Sequence, residues 1–527
     1  MTTKLKHQLI MIGSGAGVLG ISFGVVATIS SVSTISRYVD YFDATKGYSY
    51  ESYKPNSDKD PVTTRWNMDT DESVVSNHFT YNDSDLPSQT DINAKKKFVR
   101  QIIDGSGHNV MDRSFNQSTF QGMINWSNNS DTSSEPDPNN SWANQDVPIN
   151  GDPNNYGNYS KPSSDTTPGF ENAYNSAIRS GDKILTLPGY LHASPLFDYM
   201  VHQTSSFDQA GYIFLDFDAN YFQSASASAN HIASVTFRAD QSAFFAGLAA
   251  CQYLNDNFDS YWTPSHPLSI GTFGGQPIPT VTCYMGGIEL AAYVFNTTIE
   301  NYATQDTPNF PYNNDPSSVA YYKKHQVNII NLGKPTSWFS NSFSIGDGKL
   351  LAQTLLELGA DVIMPVAGPQ TIDTVQEIKN QRSKTVVIGV DTPQENSDVN
   401  TTSCFTDKSG DNQIIKFSAI KNITYMVSAI SWLNTKNQQQ YGQGDAKVGS
   451  FGYLTVGDMN NYGAAASDNS IPYLKTFLNS IPNIQVNTWS DIVNTVSDQT
   501  KLSIVDPVDQ TTYSWGRFID RHEWFKC

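Results

Sequence analysis

What this sequence lacks narrows its chemistry first. Its 527 residues hold only four cysteines, Cys251, Cys283, Cys404 and Cys527, with no CxxC pair and no metal-ligand spacing. That argues against a zinc site or a disulfide framework. The nine histidines are scattered, and no GxSxG, HExxH or phosphate-binding loop occurs, so neither a nucleophile–base set nor a hydrolytic metal motif is legible. The expectation is a protein that is not an enzyme and needs no cofactor. Charge is sparse too, at 16% of residues. The balance of 33 basic to 51 acidic residues gives a net charge of −18, which opposes binding to nucleic acid or anionic lipid.

Against that background stands one long uncharged run. After Lys4 and Lys6, residues 8–36 carry no charge, and the dense apolar part is Leu9–Ile29. As a helix it would cover about 32 Å, enough for a hydrocarbon core of about 30 Å. Basic residues ahead of it predict the short end inside and the large part outside the cell. Gly15-Ala16-Gly17-Val18-Leu19-Gly20 matches the GxGxxG pattern, but no amphipathic helix or βαβ continuation follows, so a dinucleotide site is not expected. The run contains no cysteine for acylation. An uncleaved anchor fits its length better than a cleaved signal, whose apolar region is shorter.

Residues 37–95 are polar and aperiodic and read as a stalk. A ligand-binding part is expected over 96–500, with 501–527 as a polar, aromatic tail. Inside it, residues 125–168 are rich in Asn, Ser, Asp and Pro and read as a surface insertion.

The rest alternates between apolar runs and helix-compatible stretches. Residues 98–103, 183–188, 212–216, 233–237, 269–273, 327–332, 361–366 and 385–390 read as strands, with helices expected at 114–126, 193–204, 241–254, 280–295, 347–358 and 371–382. A long amphipathic helix is expected over 415–433, with Lys421 near its start. Such alternation predicts an α/β fold with buried parallel strands. The chain is long enough for two lobes rather than one sheet. Asp391 closes one strand, where open α/β sheets bind ligands, and its carboxylate would accept from hydroxyls or N–H groups. As Asp before Thr-Pro it also suits a plain turn cap. Either reading fits the residue alone.

Six segments then stand in a recognisable order: MDRSFNQSTFQGM (111–123), VTFRADQSAFFAGLAA (235–250), IGTFGGQPIPTVTCYMGGIELAAYVFN (270–296), GADVIMPVAGPQ (359–370), VIGVDTPQ (387–394) and FSAIKNI (417–423). The chain resembles the basic membrane protein family, the purine-nucleoside-receptor-like substrate-binding proteins of ABC importers, over roughly residues 97–435. The resemblance implies a type I periplasmic-binding fold, with two lobes that close about a hinge on a nucleoside, and permease and ATPase subunits as partners. By the same resemblance Asp112, Asn116 and Phe120 fall on the motif that addresses and stacks the base. Asp391 and Lys421 fall on the ribose-contacting pair. Asp216 falls on a strand-end aspartate, and Gly368 on the turn that closes over the ligand.

Two departures touch that set. Pro369-Gln370-Thr371-Ile372-Asp373 replaces a glycine-rich turn, and Pro393 replaces an acidic residue, while Gln394 is kept. They leave room for a surface protein on the same scaffold, with an adhesive role or a sugar-like ligand.

Overall fold

The computed structural model describes residues 99–127, 158–217, 231–396, 413–430 and 464–521, apart from a few isolated positions and residues 314–318. The expected anchor (1–36), the stalk (37–95) and most of the insertion lie outside the described residues. Among the described residues no helix is long and apolar enough to cross a membrane.

The chain divides into two compact units. The first holds the described residues from 99 to 235 together with 423–430. Its sheet consists of β1 (Val99–Ile102), β2 (Asn158–Ser160), β3 (Ile184–Leu187), β4 (Gly211–Leu215) and β5 (Ile232–Val235). The strand order is β2-β1-β3-β4-β5, and every pairing is parallel. β3, β4 and β5 are buried along their whole lengths, as strands covered on both faces must be. Helices α1 (Phe115–Ser127), α2 (Thr167–Arg179) and α3 (Ala193–His202) connect them. Phe170, Tyr174, Leu196, Tyr199 and Phe214 fill the core beside the sheet.

Residues 158–160, expected within the insertion, form the edge strand β2, and α2 starts at Thr167 inside the expected insertion. The polar insertion is therefore shorter than its composition suggested. An edge strand of three residues pairs through its backbone and needs no apolar run to mark it.

The second unit holds 237–421 and 464–521 among the described residues. Its main sheet has six strands, β6 (Ser269–Gly274), β7 (Asn328–Ile329), β8 (Val362–Val366), β9 (Val386–Asp391), β10 (Ile415–Lys421) and β11 (Ala464–Ala466). They lie in the order β11-β10-β9-β8-β6-β7, and only the β10–β11 pairing is antiparallel. Without that edge strand the order matches the first unit strand for strand. Helices α4 (Ala239–Asp256), α5 (Pro279–Thr304), α6 (Lys349–Glu357) and α7 (Thr371–Gln381) surround it. α4 is buried from Ala239 to Leu254, which explains its weak periodicity: a helix with no solvent face needs no polar stripe.

One expectation fails outright. The stretch expected as a helix from 415 is strand β10, paired with β9 and β11, and Lys421 is its last residue rather than part of a helix start. Ile415, Phe417 and Ala419 alternate with Lys416 and Ser418, a period of two that a window with so many apolar residues disguises. The chain turns helical only beyond 422, where Thr424 Oγ1 donates to the Ser118 carbonyl of α1 at 3.1 Å. The expected tail also carries structure. Hairpin β12 (Ser503–Val505) and β13 (Thr512–Ser514) leads into a last helix, Trp515–Arg521, and Trp515, Phe518 and Ile519 are fully buried.

Candidate ligand site

A doubly wound sheet of this order presents its ligand groups beyond the carboxyl ends of the strands. Each unit has such an edge, and each is built differently.

In the first unit β1 runs into a loop that returns at Asp112 to start α1. The first-turn N–H groups of a helix have no partner within it, and Asp112 supplies one. Its Oδ1 accepts from the Ser114 and Gln117 amides at 2.8 and 3.1 Å. Its Oδ2 accepts from the Asn116 amide and from Asn116 Nδ2, both at 2.9 Å. Burial raises Asp112 to about 6 against the pull of these bonds. Asn116 Nδ2 also donates to Asp104 Oδ1 at 2.8 Å, and the Asn116 carbonyl accepts from Gln101 Nε2 at 3.0 Å. Asp104 in turn meets His108 Nδ1 at 2.8 Å. Burial disfavours charge on His108, but the Asp104 carboxylate outweighs it and holds the imidazole up at about 9. Asp112 and Asn116, expected to address a base, are thus occupied in fixing the β1–α1 loop.

Phe120, the expected stacking ring, is 4% exposed and meets Tyr159 edge-on at 5.9 Å. It belongs to the small core of Ile103 and Val110. Phe115, at the first position of α1, is half-buried. Asp216 follows β4 directly and is buried, with φ at +63° and its amide bonded to the Val235 carbonyl at 2.8 Å.

In the second unit Asp391 closes β9 with φ at +66°. Lys421 closes the neighbouring strand β10, one residue past Asp391 in register. Lys421 Nζ lies 3.4 Å from Asp391 Oδ1, with both side chains largely buried. A third residue, which the sequence did not single out, joins them. Tyr284, in the second turn of α5, donates its hydroxyl to Asp391 Oδ1 at 3.2 Å, and the Lys421 ammonium sits 4.9 Å from its ring centroid. The only sign of it in the sequence was its place in the 270–296 segment.

The turn after β8 is braced from the same side. Gly368, with φ at +25°, accepts from Gln394 Nε2 at 3.3 Å. Gln394 Oε1 also accepts from the Val390 amide and Thr371 Oγ1, both at 3.0 Å, so Gln394 ties β8's turn to the end of β9. A Cβ on Gly389 would fall 2.3 Å from Ser418 Oγ and 2.9 Å from Gln394, which excludes any side chain there. The unusual residues after Gly368 hold the 342–348 loop. Gln370 Nε2 donates to the Ser342 carbonyl at 2.8 Å, and the Asp373 carboxylate accepts from the Gly346 and Gly348 amides at 2.7 and 3.1 Å.

Among the described residues no cluster of His, Cys, Asp and Glu could hold a metal ion. Cys251 is a free, buried thiol.

A family model described as ABC transporter substrate-binding protein PnrA-like matches residues 191–334 and 336–449. The match spans just under half of the chain, and over that region the chain is similar to that family. Asp216, Gly368, Asp391 and Lys421 fall inside the PnrA-like region, whereas Asp112, Asn116 and Phe120 precede it. The chain is also similar to two uncharacterized lipoproteins, one from Mycoplasma pneumoniae at 28% identity over 278 residues and one from Mycoplasma genitalium at 29% over 276. Each match covers 46% of this chain, and 41% and 46% of the two relatives, so the chain spans less than half the length of those curated relatives. A crystal structure from Aeropyrum pernix of ABC transporter solute-binding proteins covers 75% of this chain and 83% of its own, at 17% identity and a TM-score of 0.43. An ABC transporter solute-binding protein from Mycobacterium smegmatis with bound glycerol covers 71% and 94%, at 10% identity and a TM-score of 0.40.

Proposed function

We propose that the chain is the substrate-binding protein of an ABC importer and that its ligand is a nucleoside, of the purine class by the family resemblance. The observation that carries this reading is the buried Asp391–Lys421 pair at adjacent strand ends, 3.4 Å apart. A vicinal diol is the complement of such a pair: its hydroxyls donate to the carboxylate and one oxygen accepts from the ammonium. Each charge-assisted bond contributes about 1.5–3 kcal/mol. A base would stack on an aromatic ring for about 1–3 kcal/mol. The family resemblance extends the reading to permease and ATPase partners. Residues 1–36 would anchor the protein through the long uncharged run that follows Lys4 and Lys6, with the large part outside the cell.

Mass spectrometry of small molecules released from the purified protein, followed by calorimetry with adenosine, guanosine, uridine and free bases, tests the ligand. Micromolar or tighter binding of a ribonucleoside is expected; no binding of any nucleoside would remove the reading. Protease added to intact cells should degrade residues 37–527, and full protection would refute the topology.

A further inference from the structure

We propose that Tyr284 is a positioning residue that sets the Asp391–Lys421 pair in the geometry a vicinal diol requires. This rests on the nucleoside reading above and adds a residue and a mechanism to it. A lysine and a carboxylate left to themselves in a buried place close to about 2.7–2.9 Å. Here Nζ and Oδ1 stand at 3.4 Å. The same Oδ1 accepts from the Tyr284 hydroxyl at 3.2 Å, and that hydroxyl also lies 3.4 Å from the Ala419 carbonyl in β10. The tyrosine ring meanwhile lies 4.9 Å from the ammonium, a cation–π distance.

Tyr284 therefore engages both members of the pair from a third element. Its hydroxyl draws the carboxylate and its ring face draws the cation. The two charges are kept near each other without collapsing into a contact a ligand would have to break. Tyr284 is itself 1% exposed, so its ring position is fixed by packing, and α5 holds it against the ends of β9 and β10. Phenylalanine at 284 would keep the ring and its attraction for Lys421 while removing the hydroxyl. The carboxylate would then lose the hydroxyl contact that draws Oδ1 away from the lysine.

The test compares wild type with Tyr284→Phe in three measurements: calorimetry with a ribonucleoside and its free base, thermal melting, and the crystal structure of the variant. The expected result is a ribonucleoside affinity weaker by about three- to tenfold, the range for one hydrogen bond. Free-base affinity and Tm should stay unchanged, and the Nζ–Oδ1 distance should contract to about 2.8 Å. A variant whose ribonucleoside affinity matches wild type, or whose Nζ–Oδ1 distance stays near 3.4 Å, overturns the role of Tyr284 while leaving the nucleoside reading intact. Should wild type bind no nucleoside, that reading falls. The variant's Nζ–Oδ1 distance then decides alone whether Tyr284 holds the pair apart.

Discussion

The two units share a strand order, and in both the strand that is fourth in the chain leads to an aspartate in the left-handed region: Asp216 directly after β4 at φ +63° and Asp391 at the end of β9 at φ +66°. That conformation is sparsely populated for residues other than glycine, with Asp and Asn the tolerated exceptions. From this common starting point the two carboxyl edges diverge. In the first, Asp112, Asn116, Asp104 and His108 bond one another and the start of α1, a network directed inward to hold a loop. In the second, Asp391 faces a cation and a tyrosine hydroxyl on neighbouring elements, and the bracing is delegated to Gln394 one turn away. The lesson is a division of labour. A scaffold repeated twice carries loop-fixing chemistry on one edge and, on the other, the charge pair proposed above to take a diol.

That division can be broken experimentally, and the largest effect should come at the charge pair. Asp391→Asn is expected to cost roughly 2–3 kcal/mol of ribonucleoside affinity with little loss of stability, and to narrow the gap between ribonucleosides and free bases. Calorimetric titration checks it, and equal affinities would remove Asp391 from the site. In the first unit the matching perturbation should appear as stability instead. His108 is held at about 9, above its ordinary value of 6.5. Its contribution is thus fully present below pH about 6.5 and is lost as pH rises through about 9. Allowing for its partial solvent access, that loss is about 2 kcal/mol, and His108→Gln should flatten it. Hydrogen exchange at 99–127 against 386–421, followed from pH 6 to 9.5, would localise the change to the first unit.

Smaller effects should follow in order. A Cβ on Gly122 would meet the Thr424 carbonyl at 2.5 Å and Val427 at 2.7 Å. Gly122→Ala should therefore destabilise the first unit by about 1–3 kcal/mol, as read by denaturant unfolding. Asp112→Ala removes the acceptor for the first turn of α1 and should cost about 1 kcal/mol, mostly as faster exchange in 115–120. Deleting 128–157 should leave ligand affinity unchanged within about twofold, since that tract has few apolar residues to give a core. Lost affinity in a folded deletion variant would place the tract in the site.

The alternation of apolar runs made the parallel sheets legible, because strands buried on both faces cannot hide their composition: Ile184–Leu187 and Val362–Val366 are visible to the eye. β10 was not legible. Seven residues with apolar positions at 415, 417, 419 and 420 satisfy a helical and a strand period alike, and only pairing with β9 decides between them. β2 was hidden for the opposite reason, being three residues at an edge with little to bury. The meeting of Asp391 with Lys421 followed from the motifs, but its cause did not: they meet as neighbours on adjacent strands. The occupied state of Asp112 was invisible, since a carboxylate at a ligand motif and a carboxylate capping a helix look the same in a sequence. Tyr284 was missed because an aromatic ring in an apolar helix is ordinarily core.

The first unit is discontinuous, and that has a consequence in time. The Thr424 hydroxyl bonds the Ser118 carbonyl across 306 residues of chain, and the same segment closes over Gly122. At roughly 5–20 residues per second of synthesis, about 15–60 seconds separate the emergence of α1 from that of the segment that seals it. The first unit must wait, incomplete, while the whole of 237–421 is made. Fragments ending before 423 should therefore leave that face of α1 uncovered, and a nascent chain would first complete the lobe that holds the charge pair only after most of the protein had left the ribosome.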